Sequence, residues 1–468
     1  MSRGVLFGTD GIRDEFGKGH LTEDQIRRVL QATVATLEAR QSFPRDFPTD
    51  LALSSEDDAR CVVVGRDTRD SGVEIVGIVA DTLTSHGFQV LDAGVIPSPG
   101  VAHVARHRPG VVLGIMVSAS HNPAKYNGIK FFAPTGAKVS PEFEVEVSRR
   151  FWPGEAPARR QGGGLESDAS SVEDYTKYLV EACDNPQALR GVPVVLDAAN
   201  GATSVVAPRV FSALGARVVT IADTPDGFNI NESCGALHPQ VLAQRVQDEE
   251  ARLGFCFDGD GDRMIPVTEK GRVLDGDFTL AISARELLAR GRLSAKTVVA
   301  TVMSNIGLEK SLMECGVQLL RTPVGDRHVY EAMIHANHPL GGEQSGHLIF
   351  LDDALTGDGI LAALRLVDSL ESQGGDLEAA ASVMRRYPQA LINYEVAQKL
   401  PLEQMPDVQQ AVVHAEEKLE GEGRIVLRYS GTEPLVRVMV EGPSEELVTT
   451  LAREIGETVV SVIKDHSS

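Results

Sequence analysis

Hydrophobic and polar positions along the chain repeat one arrangement three times. Cys61-Val-Val-Val-Gly-Arg-Asp-Thr-Arg-Asp is an apolar run that ends in a polar turn, and a helical stretch and Gly87-Phe-Gln-Val-Leu follow it. The second copy is Val192-Pro-Val-Val-Leu-Asp-Ala-Ala-Asn-Gly, a helix from about Val206, then Gly215-Ala-Arg-Val-Val. The third is Thr297-Val-Val-Ala-Thr-Val-Met-Ser-Asn, a helix from about Gly307, then Gly316-Val-Gln-Leu-Leu. Each copy predicts strand, loop, helix, stopping glycine, strand, with the glycine where a helix end needs positive φ. Short continuous apolar strands joined by helices predict mainly parallel sheets covered on both faces.

Each repeat carries a later strand that runs into a polar, Gly-containing loop. Val112-Leu-Gly-Ile-Met-Val leads into Ser118-Ala-Ser-His-Asn-Pro, Leu253-Gly-Phe-Cys-Phe into Asp258-Gly-Asp-Gly-Asp-Arg, and His338-Pro-Leu into Gly341-Gly-Glu-Gln-Ser-Gly-His. Open α/β sheets bind ligands at the carboxyl ends of their strands, so three loops are expected to share one cleft. The last stretch differs. Gly423-Arg-Ile-Val-Leu-Arg-Tyr-Ser and Leu435-Val-Arg-Val-Met-Val-Glu alternate like strands, and Ser444-Glu-Glu-Leu opens a helix with an N-cap and an acidic first turn. The expected domains are 1–168, 169–273, 274–387 and an α+β domain over 388–468. Gln41–Arg60 reads as an exposed loop and Pro153–Asp168 as a flexible linker.

Composition narrows the partners. The 468 residues hold 66 Asp+Glu against 45 Lys+Arg, a net charge of −21, with 42% hydrophobic residues. That balance disfavours nucleic acid, because polyanions need a basic surface. It also means that an anionic substrate requires a local cationic patch. No apolar run reaches the length of a membrane span and no signal-peptide core is visible. Cys61, Cys183, Cys234, Cys256 and Cys315 are scattered, odd in number and never C-x-x-C, which points to a reducing, cytoplasmic setting.

The loops carry chemistry of unequal specificity. Ser118-Ala-Ser-His-Asn-Pro presents a serine as a nucleophile or phosphoryl carrier, or else is turn chemistry alone. Asp258, Asp260 and Asp262 alternate with glycines, so three carboxylates can fold around one cation; oxygen-only ligands suit Mg²⁺ or Ca²⁺. With Glu269 they match EF-hand ligand positions, but Arg263 replaces the required glycine, Pro266 interrupts the loop and a strand precedes it. Glu343-Gln-Ser-Gly-His347 reads as a sugar-hydroxyl binder or a polar hairpin. Arg428-Tyr-Ser-Gly-Thr-Glu-Pro with Arg437 reads as an anion cradle or an ordinary strand–turn–strand.

Taken together and in this order, these loops resemble the α-D-phosphohexomutase superfamily over essentially the whole chain. The resemblance includes Phe7–Arg13, Val64–Arg69, Ser118–Pro123 continuing through Tyr126–Phe132, Asp197–Ala202, Phe257–Arg263, Val324–Arg327, Gly342–His347, Thr356–Gly359 and Arg428–Gly442. The G-G-E-Q-S-G-H and R-Y-S-G-T-E-P-L-V-R-V-M-V-E-G forms favour the subgroup acting on glucosamine phosphates over phosphomannomutase/phosphoglucomutase relatives. Tyr429 and the Cys234–Pro239 segment depart from the usual pattern.

The resemblance implies three α/β/α domains plus a C-terminal α+β domain around a central cleft. It implies that Ser120 carries the phosphoryl group and that Asp258, Asp260 and Asp262 bind one Mg²⁺ with it. Glu343 and Ser345 would read sugar hydroxyls. Arg428, Ser430, Gly431, Thr432 and Arg437 would hold the non-reacting phosphate. Arg13, Lys130, Arg263 and His347 would surround the reacting group as acid/base candidates. A 1,6-bisphosphate intermediate and activator, a small-molecule phosphosugar substrate and a homodimer are the remaining expectations. A sister mutase, a non-catalytic sugar-phosphate sensor and a calcium-binding module are the rival readings; intact Ser120 and aspartates disfavour the sensor. The cationic patch required by the net charge is expected from Arg13, Lys130, Arg263, Arg327, His347, Arg428 and Arg437.

Overall fold

A computed structural model of the chain describes residues 6–8, 10–39, 60–152, 163–370, 374–430 and 434–465. The predicted loop at Gln41–Arg60 lies outside these residues except for Arg60.

The first sheet holds six strands: β1 (Ile12–Glu15), β2 (Cys61–Arg66), β3 (Gln89–Val95), β4 (Val111–Val117), β5 (Tyr126–Phe132) and β6 (Gly164–Ser167), in the order β1-β5-β4-β2-β3-β6. Neighbours among β2, β3, β4 and β6 are parallel, whereas β5 runs antiparallel to β4 and β1. The second sheet is β7 (Pro193–Asp197), β8 (Arg217–Ile221), β9 (Leu253–Phe257) and β10 (Met264–Thr268), ordered β10-β9-β7-β8. The third is β11 (Thr297–Thr301), β12 (Gln318–Thr322), β13 (Leu340–Gly342) and β14 (Leu348–Phe350), ordered β12-β11-β13-β14. In both, the last hairpin is antiparallel and the other pairs are parallel. The C-terminal sheet, β15 (Gln389–Glu395), β16 (Arg424–Tyr429) and β17 (Leu435–Glu441), is wholly antiparallel and ordered β15-β17-β16.

The mixed α/β architecture with mainly parallel sheets is therefore present, and its helices begin close to the predicted points. They run Thr203–Ala213 in the second unit and Ile306–Glu314 in the third. Gly87, Gly215 and Gly316 all have φ between +73° and +83°, the left-handed stop that a side chain would strain. The helix Glu445–Asp465 starts after Ser444, whose hydroxyl accepts from Leu447 N.

One reading is corrected. The linker Pro153–Asp168 is not linker throughout: Gly164–Ser167 is an edge strand that pairs with Gln89–Asp92. Its exposed Leu-Glu-Ser carries no apolar alternation, because an edge strand is held by backbone hydrogen bonds alone. Residues 153–162 of that stretch lie outside the described residues.

One apolar core runs unbroken beneath the first three sheets, through Val63, Ile96, Leu196, Phe255, Val298 and Leu340. A second fills the other face of the first sheet. The C-terminal unit packs on its own clusters, around Val438, Val440, Leu451 and Ile455 and around Val408 and Val459.

Candidate active site

β2 and β4 are parallel neighbours, so the loops after both strands emerge side by side. That adjacency builds the support of the serine loop. Asp67 and Arg69, both fully buried, form an ion pair of 2.8 Å. Arg69 spends its remaining donors on four carbonyls of the loop: Ser120 (2.9 Å), Asn122 (2.7 Å), Pro123 (2.6 Å) and Tyr126 (2.9 Å). Ser118 Oγ donates to Asp67 (2.6 Å) and accepts from Ser120 N (2.8 Å). From the second unit, Asn231 Nδ2 donates to the Ser120 and Asn122 carbonyls at 2.9 and 3.1 Å. Ser120 is thereby held at φ 52°, a left-handed conformation that costs a non-glycine residue roughly 1–2 kcal/mol.

The loop between β9 and β10 faces it. Side-chain oxygens of Asp258, Asp260 and Asp262 all lie within 4.8 Å of one another, and all three residues are buried. Ser120 Oγ donates to Asp258 Oδ2 at 2.7 Å, which joins the two loops. Gly259 permits the approach: a Cβ there would stand 2.6 Å from the Ser120 carbonyl oxygen. The strand Leu253–Phe257 ahead of the loop removes the helix that an EF-hand requires.

Lys130, on β5, is buried with its ammonium 2.7 Å from Asp260, 3.4 Å from Asp262 and 2.7 Å from Asp10. Burial opposes that charge, but the three carboxylates outweigh burial and push the Lys130 pKa well up. Burial, then the neighbouring Asp262 and Asp260, raise the Asp258 pKa well above the carboxylate range. Oδ1 of Asp260 and Oδ1 of Asp262 are buried without a hydrogen-bond partner among the described residues. Crowded acids with spare buried oxygens and an adjacent serine hydroxyl are the donor set that a hard divalent cation takes.

The third unit closes the group. Arg263 and His347 form a β-bridge, and Met264 N donates to Gly346 O at 3.0 Å, so the E-Q-S-G-H loop is stitched to the exit of the acidic loop. His347 is buried between Asp262 and Asp326, 3.7 Å from each. Burial disfavours its charge, yet the two carboxylates prevail and raise its pKa. Glu343 accepts from Gly325 N (3.1 Å) and from the exposed Ser345 (3.5 Å). Arg263, Glu343 and Ser345 line a cavity of about 430 Å³. Arg13 pairs with Asp10, which also binds Lys130 and Lys138.

The structure thus gathers Ser120, Lys130, Asp258, Asp260, Asp262, Arg263 and His347 into one contact network, with Arg13 joined through Asp10. Arg327 lines a cavity with Lys138 and His347, but its charge is met by an acid. Both of its terminal nitrogens are taken by Glu144, at 2.7 and 2.5 Å.

Arg428 and Arg437 form a second group, directly opposite each other in the β16–β17 register. Arg437 Nη2 donates to Ser430 Oγ at 3.3 Å. Two like charges in one cross-strand pair repel, and a bound anion relieves them. Burial, then Arg437, lower the Arg428 pKa. Gly431 and Thr432 lie outside the described residues. Tyr429 donates its hydroxyl to the Leu400 carbonyl at 2.8 Å.

Sequence reasoning did not single out Asp10, Arg69, Lys138, Asn231 or Asp326. Asp10, Arg69 and Asp326 lie inside motifs that carry the resemblance. His121 Nδ1 lies 3.3 Å from Ser120 Oγ, and burial, then Arg263 and Arg13, push its pKa down to about 4.

Known proteins resemble this chain along its length. Family models for phosphoglucomutase/phosphomannomutase match in four pieces: alpha/beta/alpha domain I over residues 4–157, domain II over 173–271, domain III over 275–387 and the C-terminal domain over 391–458. A phosphoglucosamine mutase of Desulforudis audaxviator is 41% identical over 99% of this chain and 100% of its own length. One from Bacillus subtilis is 40% identical over 98% and 99%. A solved phosphoglucomutase/phosphomannomutase family protein from Burkholderia thailandensis superposes with a TM-score of 0.79 at 25% identity, covering 98% of both chains. The Aspergillus fumigatus N-acetylphosphoglucosamine mutase, solved with GlcNAc-6P and magnesium, shares the fold at a TM-score of 0.65 and 17% identity, over 98% of this chain and 96% of that one.

Proposed function

This chain belongs to the phosphoglucomutase/phosphomannomutase family, and on that premise we propose that it interconverts glucosamine 6-phosphate and glucosamine 1-phosphate through a phosphorylated Ser120. The observation that carries the reading is the 2.7 Å contact between Ser120 Oγ and a buried cluster of three aspartates. Relatives about 40% identical over nearly the whole chain support the sugar.

Asp258, Asp260 and Asp262, with the phosphorylated serine, are the residues that would hold one Mg²⁺. The bound ion supplies positive charge to the phosphoryl oxygens. Around it the chain's own cations do the rest: Lys130 and Arg263 face the oxygens over which negative charge spreads during transfer. The Asp67–Arg69 clamp presents the serine at a fixed angle. His347, its proton favoured by Asp262 and Asp326, and Lys130 are the groups assigned to proton transfer at the attacking or leaving hydroxyl, and Arg13 adds a fixed positive charge beside them.

Glu343 and Ser345 read the ring hydroxyls. Arg428, Ser430, Gly431, Thr432 and Arg437 grip the phosphate that is not reacting. Phospho-Ser120 passes its phosphoryl group to O6 or O1, giving a 1,6-bisphosphate. The sugar turns over and returns its other phosphoryl group to Ser120, and the same bisphosphate serves as activator. The proposal places this chemistry in the cytoplasm, in keeping with cysteines that are all free, and in a homodimer.

The decisive experiment compares kcat/KM on glucosamine, glucose and mannose 1-phosphates, with the Ser120 peptide analysed by mass. One phosphate on Ser120 and a clear preference for the amino sugar are expected. Equal rates on all three, or a phosphate elsewhere, overturn the reading.

A further inference from the structure

The geometry points to Asp275 as the residue that accepts the 2-ammonium group of the sugar and so sets the preference for an amino sugar, an inference that rests on the function proposed above. Asp275 lines the same 430 Å³ cavity as Arg263, Glu343 and Ser345. It stands at the N-terminus of the helix Gly276–Ala289, and this turn is docked onto the sugar loop backbone to backbone. Gly276 N donates to the Gln344 carbonyl at 3.0 Å, and a Cβ on Gly276 would stand 2.1 Å from the Glu343 carbonyl oxygen. Only glycine fits there, and it pins Asp275 beside the loop.

The acceptors of the cavity divide unequally. Glu343 already receives Gly325 N on one carboxylate oxygen and Ser345 Oγ on the other. Asp275 Oδ2 is met by Gln344 Nε2 at 3.3 Å and by Arg386 at 3.4 Å. Asp275 Oδ1 is buried and finds no donor among the described residues. A buried carboxylate oxygen without a donor is costly, so the site favours a ligand that brings one. The proposed substrate carries one cation, the ammonium at C2, next to the hydroxyls assigned to Glu343 and Ser345. The exposed Arg386 reaches Oδ2 from the solvent side at 3.4 Å.

The test is the ratio of kcat/KM for glucosamine 1-phosphate over glucose 1-phosphate in the wild type and in Asp275→Asn, whose amide keeps the shape and loses the charge. A charged hydrogen bond lost from one substrate alone predicts a fall in that ratio of about 10- to 100-fold. A ratio unchanged within about 2-fold overturns the assignment, whether or not overall activity drops. A second measurement needs no variant. In the wild type, KM for glucosamine 1-phosphate should rise as pH passes the pKa of the sugar amine, while KM for glucose 1-phosphate should not follow. Parallel profiles overturn the assignment. A wild type with no preference for the amino sugar takes down the proposed function instead, which separates the two failures.

Discussion

The serine–aspartate cluster and the proposed phosphate cradle of the C-terminal unit are held in place by different forces. The cluster sits where three sheets share one apolar core, and polar bonds both within the first unit and between units hold it. Asp67, Arg69 and Asn231 hold the serine loop, and Ser98 N donates to the Asp260 carbonyl at 2.8 Å. The cradle instead rides on a small antiparallel sheet with its own cores. Polar contacts tie that sheet to the third unit. Buried Glu441 accepts from Asn305 Nδ2 and from Ile306 N, both at 3.1 Å, at the start of the helix Ile306–Glu314, and pairs with Arg424 at 2.8 Å. Lys310 pairs with Glu422 at 2.6 Å.

The difference matches the two tasks of the proposed reaction. Phosphoryl transfer needs atoms fixed to fractions of an ångström. A sugar that turns over needs a grip that can open and close, and polar hinges allow that more readily than a shared apolar core.

The largest expected effect tests the fixed side. Ser120→Ala should lower turnover by on the order of 10⁴-fold or more while thermal unfolding stays close to wild type. Full activity in that variant sinks the carrier role. Arg69→Ala should destabilise the first unit by about 3–5 kcal/mol, because it strands the buried Asp67 and frees four carbonyls. Denaturant unfolding reads this directly, and a change below about 1 kcal/mol would mean the clamp is not structural. At the proposed cradle the pattern should invert. Arg428→Ala should raise KM by about 10- to 100-fold, the size of a lost charge-assisted phosphate contact, with stability unchanged or slightly improved as the repulsion with Arg437 is relieved. The smallest effect belongs to the hinge. Glu441→Gln should weaken the tie by about 1–2 kcal/mol, seen as faster hydrogen exchange at Ile306 and over 389–395. Unaltered exchange there would shift the pivot to other contacts.

Much of this was legible before any fold was known. The strands leading into the serine and acidic loops end at Val117 and Phe257, as their apolar runs predict. The acidic loop could be read because three carboxylates alternating with glycine have few other uses. Arg69, Asn231, Asp10 and Lys138 were not singled out. A fully buried cation and a half-buried one look alike in one dimension; Arg69 follows β2 and reaches the serine loop, whereas Arg327, on the helix Asp326–Ala336, is met by Glu144. The edge strand Gly164–Ser167 escaped because backbone pairing leaves no mark on side chains.

Local sequence therefore determined the elements, their order and the chemistry each loop carries, because periodicity, glycine stops and acid spacing act over a few residues. Only the tertiary structure decided which loops meet. Parallel placement of β2 beside β4 brings Arg69 to Ser120, and the close approach at Gly259 brings Ser120 to Asp258. The β-bridge at Arg263 brings His347 to Asp262. Those contacts join residues tens to hundreds of positions apart, and it is the burial of one core under three sheets that selects them.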